Sequence, residues 1–325
     1  MSARGQKAAG LGLVLVLILM PLITEAAELP SLLSLATRAL IYGIAAASLN
    51  FVMGYGGMVS FGHAAFFGIG GYVVGILFQN FTEETLFLGL MPGSNQMLVT
   101  LPLAILVAGL LAAVIGALAL RTGGVQFIMI TMAFAQMLFF LFVSLKVYGG
   151  DDGMMIKRTN DLPFLDLRDK ATLYWVVLTV TVGFFLALRR IVNSSFGAIL
   201  AGIRQNERRM AALGISVFRY KLYAFVLSGM GAGLAGALMA NAMRFASPDM
   251  MYWMKSGELL VMVILGGVGT LLGPFFGAAT LLLLESSLST WTEHWQLFLG
   301  VILLVIVLWS RGGLAGLFAK IWGRE

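Results

Sequence analysis

The sequence predicts an all-α fold, a polytopic bundle of transmembrane helices with about ten crossings. Of the 325 residues, 60% are hydrophobic and 11% are charged, and the mean hydropathy is +0.95. A soluble domain carries about 25% charged residues, so this chain has too few charges to cover a water-facing surface. The 40 glycines suit helices that approach one another closely in lipid.

Apolar runs carry the predicted crossings, because a helix needs about 20 apolar residues to span a bilayer. One run, residues 258–284, is too long for a single helix, and glycines and Gly273-Pro274 interrupt it. We therefore predict two short segments that meet at a turn inside the bundle, where neighbours satisfy the freed backbone groups. The runs are residues 8–24, 32–53, 59–78, 97–120, 125–147, 171–188, 222–243, 258–284 and 295–308.

Charge fixes the predicted orientation. Residues 189–221 contain seven basic residues and one acid, Glu207, and such clusters stay in the cytoplasm. An even number of crossings then puts both termini in the cytoplasm and the aspartate-rich segment 149–170 outside. The first run, 8–24, resembles a signal peptide weakly, and the sequence favours an uncleaved helix. No nucleic-acid-binding module accompanies the basic cluster, so no nucleic-acid partner is expected.

The basic segment has the period of an amphipathic helix near residues 194–214. Ser194 or Ser195 suits its N-terminal cap, and Gly214 is a stop signal. Its apolar positions are Phe196, Ile199, Leu200, Ile203, Met210 and Leu213, beside Arg204, Glu207, Arg208 and Arg209. A helix on anionic headgroups and a docking helix for a cytoplasmic protein both fit this pattern, and the period does not separate them.

Few residues are candidates for catalysis, metal binding or proton coupling. The chain has no cysteine and two distant histidines, His63 and His294, so no metal site, cofactor or catalytic group is predicted. No phosphate-binding loop of the GxxxxGK[S/T] type occurs, so ATP hydrolysis by that route is excluded. We expect three ionisable residues at membrane interfaces, namely Glu258 (beside Lys255), Glu285 and Arg38. This leaves no acid within the membrane for a proton-coupled carrier.

The densest polar motif is the glycine-rich segment 54–63, which contains Ser60 and ends at His63. In one interpretation, the two side chains satisfy backbone groups at a helix boundary. In the other, they line a substrate path, since irregular backbone at membrane depth is tolerated mainly beside cavities. Glycines at four-residue spacing are expected to share one helix face and predict close helix packing. They are Gly71/Gly75, Gly229/Gly233 and Gly269/Gly273/Gly277.

Several motifs in order resemble the LivM-type permeases of the branched-chain amino acid ABC transporter family, over about residues 32–317. The motifs are GHAAFFGIGGY at 62–72, TMAFAQ at 131–136, GGDDG at 149–153, IRQNE at 203–207, AALG at 211–214 and LGGVGTLLGP at 265–274. Two positions depart from the family pattern. Met58 stands where glutamine is common, and Gln126 where tyrosine is common.

The resemblance implies one permease domain over residues 1–325 in a bacterial inner membrane. It implies a homologous second permease, two ATP-binding subunits and a periplasmic solute-binding protein as partners, besides membrane lipid. The 194–214 segment would be the coupling helix, through Ile203, Arg204, Asn206, Glu207, Arg208 and Gly214. The substrate path would include Ser60, His63, Gln126 and Gln136. Related systems carry urea, short amides or aromatic acids, so these substrates stay open beside branched-chain amino acids.

Two other classes of function are weaker. A stand-alone secondary transporter or channel would need coupling acids or a charged filter, and it would leave the 194–214 helix without a role. An intramembrane enzyme would have only Asp151 and Asp152 as candidates, an acidic pair without histidine or metal partners. The sequence therefore favours a transporter subunit that is not an enzyme, driven by ATP hydrolysis in partner chains.

Overall fold

The computed structural model describes most of the chain. The described residues are 30–87, 91–163, 165–291 and 294–309, with the isolated residues Leu17, Met20, Pro21, Thr24, Gly89, Gly313, Leu314 and Gly316. The predicted first crossing at 8–24 lies mostly outside these residues, as do the basic residues Arg311, Lys320 and Arg324.

Helices dominate the described residues. They are α1 (Pro30–Asn50), α2 (His63–Thr82), α3 (Met97–Ala119), α4 (Val125–Ser144), α5 (Lys170–Val192), α6 (Ser195–Gln205), α7 (Glu207–Ala212), α8 (Val217–Met243), α9 (Trp253–Gly266), α10 (Gly273–Trp291) and α11 (Trp295–Trp309). Two short antiparallel pairs accompany them, β1 (Leu86–Phe87) with β2 (Met91–Pro92) and β3 (Met154–Met155) with β4 (Phe245–Ala246).

The predicted helical membrane bundle is confirmed. Within the described residues, six helices are long and apolar enough to cross a membrane. They are α1 with the π-helical turn Phe51–Tyr55 that continues it, α2, α3, α4, α5 and α8. The shorter helices α9, α10 and α11 occupy the predicted segments from residue 258 onward.

The centre of the bundle is α8, which packs against α1, α2 and α3. Its contact surface is made of glycine and alanine, as the four-residue spacing predicts. A Cβ atom added at Gly229 would collide with Ala112, and one added at Gly236 would collide with the carbonyl oxygen of Phe67. The backbones of α8 and α2 are therefore in direct contact at Gly236, and at Gly229 the Ala112 methyl group of α3 fills the space, so no larger residue fits at either position.

The predicted break between two short segments is also confirmed. Helix α9 ends at Gly266, and α10 begins at Gly273. Between them, Gly267 and Gly269 have φ angles of 115° and 79°, a region that favours glycine. Gly269 therefore lies in the turn, and the expectation that it shares a helix face with Gly273 and Gly277 is wrong.

At each end of the bundle, side-chain amides hold distant segments of the chain together. At the end that carries α6 and α7, the Asn50 amide nitrogen donates to the Thr270 carbonyl oxygen at 2.7 Å. At the opposite end, the Asn160 backbone N–H donates to the Asn241 side-chain oxygen at 2.9 Å, and the Asn160 amide donates to the Asn95 carbonyl oxygen at 3.1 Å. Each tie joins segments that are distant in the sequence.

The crossing between α8 and α10 is only partly helical. After α8, the chain runs beside α2 from the end opposite α6 toward the middle of the bundle. Ala246 lies against Gly75, Met250 against Gly71, and Met251 against Gly68. Helix α9 starts only at this depth, and its 14 residues span about 21 Å, against about 30 Å for the hydrocarbon core. It therefore covers about two thirds of that thickness, on the side next to α6.

Candidate functional site

The basic segment forms two helices instead of the single amphipathic helix expected near 194–214. Helix α6 ends at Gln205, and the Asn206 side chain accepts a hydrogen bond from the Arg209 backbone N–H at 3.0 Å, which caps α7. Ser194 is at the first cap position, but its hydroxyl donates backward to the Ile191 carbonyl oxygen at 2.6 Å. Gly214, with a φ of 82°, follows α7.

Helix α6 is anchored to the bundle by both apolar and charged contacts. Leu200 and Ile203 are completely buried. The Arg204 guanidinium donates to the Gly54 carbonyl oxygen at the π-helical turn, and its side-chain stem lies against Gly57. Arg204 is exposed, as the pattern predicted, but its guanidinium also bonds back to the bundle.

The charged residues of α7 make contacts of a different kind. The Glu207 carboxylate forms an ion pair with Lys221 of α8. Glu207 therefore fastens α7 to its own chain, whereas Arg208 and Arg209 are both exposed, form no ion pair within the described residues and are open to a partner.

The turn between α9 and α10 is fastened to the end of α1. Besides donating to Thr270, the Asn50 side chain accepts from the Gly269 backbone N–H at 2.8 Å. The same end of α1 continues into the π-helical turn whose Gly54 carbonyl binds Arg204. Helix α6, the end of α1 and the α9–α10 turn are thus joined by polar contacts.

His63 is fully buried at the first residue of α2. Its Nε2 lies 2.6 Å from the Ser228 hydroxyl of α8, which donates its proton to the Ser48 carbonyl oxygen of α1. A hydroxyl has one proton, so His63 Nε2 must be the donor to Ser228. His63 Nδ1 has no hydrogen-bond partner among the described residues. The histidine thus links three helices.

Backbone groups at the start of α2 are satisfied by serine and threonine side chains. The Gly62 N–H donates to Ser60 at 3.1 Å, and the Phe61 N–H donates to Thr131 at 3.2 Å. Ser256 of α9 accepts from the Ala64 N–H at 2.9 Å and donates to the Phe61 carbonyl oxygen at 2.7 Å. The sequence left two interpretations open for Ser60, and this arrangement corresponds to the first, in which its side chain satisfies backbone groups at a helix boundary.

The two predicted glutamines do not join this cluster. Gln126 is exposed near the start of α4. Gln136 is partly buried on the same helix, and its Oε1 has no partner among the described residues. The two lie ten residues apart, about 15 Å along the axis. Gln126 and Gln136 therefore lie outside the hydrogen-bonded cluster around Ser60 and His63.

Sequence reasoning missed the position of one charged pair. Lys255 and Glu258 were expected at a membrane interface, yet the Lys255 Nζ lies 5.6 Å from the centre of the Tyr42 ring. Tyr42 is the twelfth residue of the 25-residue candidate span Ser31–Tyr55, so the Lys255 ammonium group lies beside the middle of that span. The sequence did contain one signal of this position. Glycines and Gly273-Pro274 divide the apolar run 258–284 into two segments, each too short to cross a bilayer.

A cavity of about 330 Å³ opens at the end opposite α6. Arg38, Arg168, Lys170 and Arg244 line it, and no acidic side chain does among the described residues. The described residues contain no cluster of three histidine, cysteine, aspartate or glutamate side chains suited to a metal ion.

The described residues thus form a bundle of helices able to cross a membrane, with a basic helix pair fastened to one end. Residues 31–308 match the family described as branched-chain amino acid transport system / permease component. The chain belongs to this family, and it is a membrane permease subunit of an ABC importer.

Several characterised relatives agree with this assignment. The high-affinity branched-chain amino acid transport system permease protein LivM of Salmonella typhimurium is 27% identical, over 92% of this chain and 74% of its own length. LivM of Escherichia coli is 26% identical, over 86% and 69%. The autoinducer 2 import system permease protein LsrC of Klebsiella pneumoniae is 29% identical over 45% of this chain and 44% of its own. No solved structure matches the chain.

Proposed function

We propose that this permease subunit carries branched-chain amino acids into the cell. The proposal draws on the two LivM relatives, which align over most of their length and are named for that transport. Its partners would be a homologous second permease, two ATP-binding subunits and a periplasmic binding protein. The chain would lie in a bacterial inner membrane with both termini in the cytoplasm, and ATP would be hydrolysed in the partner chains.

We further propose that α6 and α7 couple transport to those ATP-binding subunits. The observation that carries this proposal is the fastening of α6. Its Leu200 and Ile203 are buried, and Arg204 reaches the Gly54 carbonyl. A packed helix moves as a rigid unit. A displacement of α6 would therefore be passed to the end of α1.

From the end of α1, two routes lead into the bundle. One runs through Asn50 to the α9–α10 turn. The other runs through the Ser48 carbonyl to Ser228 and His63, and so to α8 and α2. In this proposal, His63 holds helices in register for the alternating-access change, and Ser60 stabilises the start of α2.

The test is a reconstituted complex with Glu207→Arg and Gly214→Pro combined. The arginine would face Lys221, a like charge, and proline does not adopt the φ of 82° at position 214. We expect normal membrane insertion but loss of leucine-stimulated ATP hydrolysis and of leucine import.

The matched control is Gly183→Ala with Asp166→Asn, at exposed positions away from α6 and α7. It should hydrolyse ATP and import leucine like the parent. If the Glu207→Arg/Gly214→Pro complex also behaves like the parent, α6 and α7 only lie on headgroups, and the coupling role is refuted.

A further inference from the structure

The mid-depth charges on α9 form an ion pair on one turn of the helix. The Lys255 Nζ lies 2.6 Å from Glu258 Oε2, and the two side chains are 30% and 45% exposed. Tyr42, whose ring lies beside the ammonium group, also stacks on Phe67 of α2 at 5.8 Å between ring centres. The pair is therefore held beside α1 and α2, halfway along the bundle.

This depth restricts what the exposed side of the pair faces. Charged side chains at the level of hydrocarbon are costly, and they occur where they face protein or a water-filled cavity. A carboxylate that is nearly half exposed does not face lipid tails at this depth. The exposed side of Lys255 and Glu258 therefore faces a water-filled cavity or a partner chain in the assembled transporter.

The pair also lies at the start of a helix that begins inside the membrane. Lys255 is the third residue of α9, and no side chain caps its N-terminus. The first backbone N–H groups of a helix give positive potential that attracts carboxylates. In transporters with interrupted helices, such N-termini point at the anionic groups of substrates.

We propose that Lys255 and Glu258 form a binding site for the zwitterionic backbone of a free α-amino acid. The Lys255 ammonium and the N-terminus of α9 bind the substrate carboxylate, while the Glu258 carboxylate binds the substrate ammonium group. The inference rests on the proposed import of branched-chain amino acids, and it identifies the groups that recognise them.

The charge balance suits this ligand. An α-amino acid has one positive and one negative group at neutral pH, as the pair does, so binding changes no net charge at mid-depth. The two opposite charges are one helical turn apart, and an amino acid lying antiparallel to them meets each with its counterpart. Urea or a sugar has no separated charges to match the pair.

The absence of cysteine from the chain allows a direct test. Glu258→Cys in the assembled complex should react with a small water-soluble thiosulfonate reagent, and saturating leucine should slow the reaction at least about tenfold. Attaching a sulfonate-bearing reagent should restore part of the leucine import, and an ammonium-bearing reagent should not. Asp166→Cys, in an exposed segment, is the control and should react equally with and without leucine.

Neutral substitutions give a second readout. Lys255→Met and Glu258→Gln should each raise the KM for leucine import by roughly tenfold or more. Leucine-independent ATP hydrolysis is measured alongside, because it separates a loss of leucine binding from a failure of assembly. Lys157→Met, at an exposed lysine outside α9 and outside the basic cavity, should import leucine normally.

Three results would refute the site. They are equal labelling of Glu258→Cys with and without leucine, no labelling at all, and normal leucine import by Lys255→Met and Glu258→Gln. A structural ion pair would reduce assembly and ATP hydrolysis together with import. If the parent complex fails to import leucine but imports an uncharged solute, the proposed function itself is wrong.

Discussion

Asn50 and Thr270 are 220 positions apart in the sequence and are joined by a hydrogen bond of 2.7 Å between the Asn50 amide and the Thr270 carbonyl oxygen. The same side chain accepts from the Gly269 N–H. One asparagine thus replaces the missing helical hydrogen bonds of the α9–α10 turn. Backbone breaks at membrane depth need such a partner.

The first prediction concerns this asparagine. Asn50→Leu leaves the Gly269 N–H and the Thr270 carbonyl oxygen without their side-chain partner, and each unsatisfied group costs about 1–3 kcal/mol. We expect a lower Tm for the purified protein in detergent and slower leucine import. Asn193→Leu, at an exposed asparagine near the same end, should stay within about 0.5 kcal/mol of the parent. An unchanged Tm for Asn50→Leu would show that the turn needs no such tie.

The second prediction separates two roles for His63. Ser228→Ala leaves the buried His63 Nε2–H without a partner, at about 1–3 kcal/mol, and should lower the Tm. Adding His63→Phe removes the unsatisfied donor while keeping a ring, so the double variant should recover much of the Tm. A recovered Tm with recovered import supports the helix-linking role. A recovered Tm without import would mean that His63 contacts substrate instead.

The third prediction tests the contact surface of α8. Gly236→Ala places a methyl group against the Phe67 carbonyl oxygen, and such overpacking costs about 1–3 kcal/mol. Gly183→Ala in α5 meets nothing within 4 Å and should be neutral or slightly stabilising, since alanine favours helix over glycine. Thermal unfolding of both variants decides the matter. Equal Tm values would show that α2 and α8 separate easily.

The fourth prediction concerns orientation. Single cysteines at Asp166 and Arg208 lie at exposed positions on opposite ends of the bundle. In intact cells, an impermeant thiol reagent should label Asp166→Cys and leave Arg208→Cys unlabelled. Asn160 is unsuitable for this purpose, because it is 2% exposed and hydrogen-bonded to Asn95. The reverse labelling pattern would overturn the proposed topology.

Much of the fold was predictable because lipid imposes simple rules on sequence. Long apolar runs gave the helices, and the glycines near residues 266–273 gave the break. The glycines of α8 predicted close packing, because small residues allow backbones to touch. The depth of α9 was not predictable, since it depends on how residues 244–252 pack beside α2, a contact between distant segments.

The candidate site was less accessible to sequence reasoning. Arg204 and Glu207 looked like one exposed charged face, yet each has a partner within the chain, Gly54 and Lys221. Ser228 lies in an apolar helix, where nothing in the pattern distinguishes it from a small packing residue. Polar pairs between distant helices leave no periodic signal, so only the folded chain reveals them.

The tie between Asn50 and Thr270 also has a consequence for biosynthesis. Ribosomes add roughly 5–20 residues per second, so about 10–45 s pass between the synthesis of these two residues, which are 220 positions apart. During that interval, the amide of Asn50 has not yet met its carbonyl. Helix α1 therefore enters the bilayer with an unsatisfied polar end, and the translocon or the headgroup region must shelter it until α10 emerges.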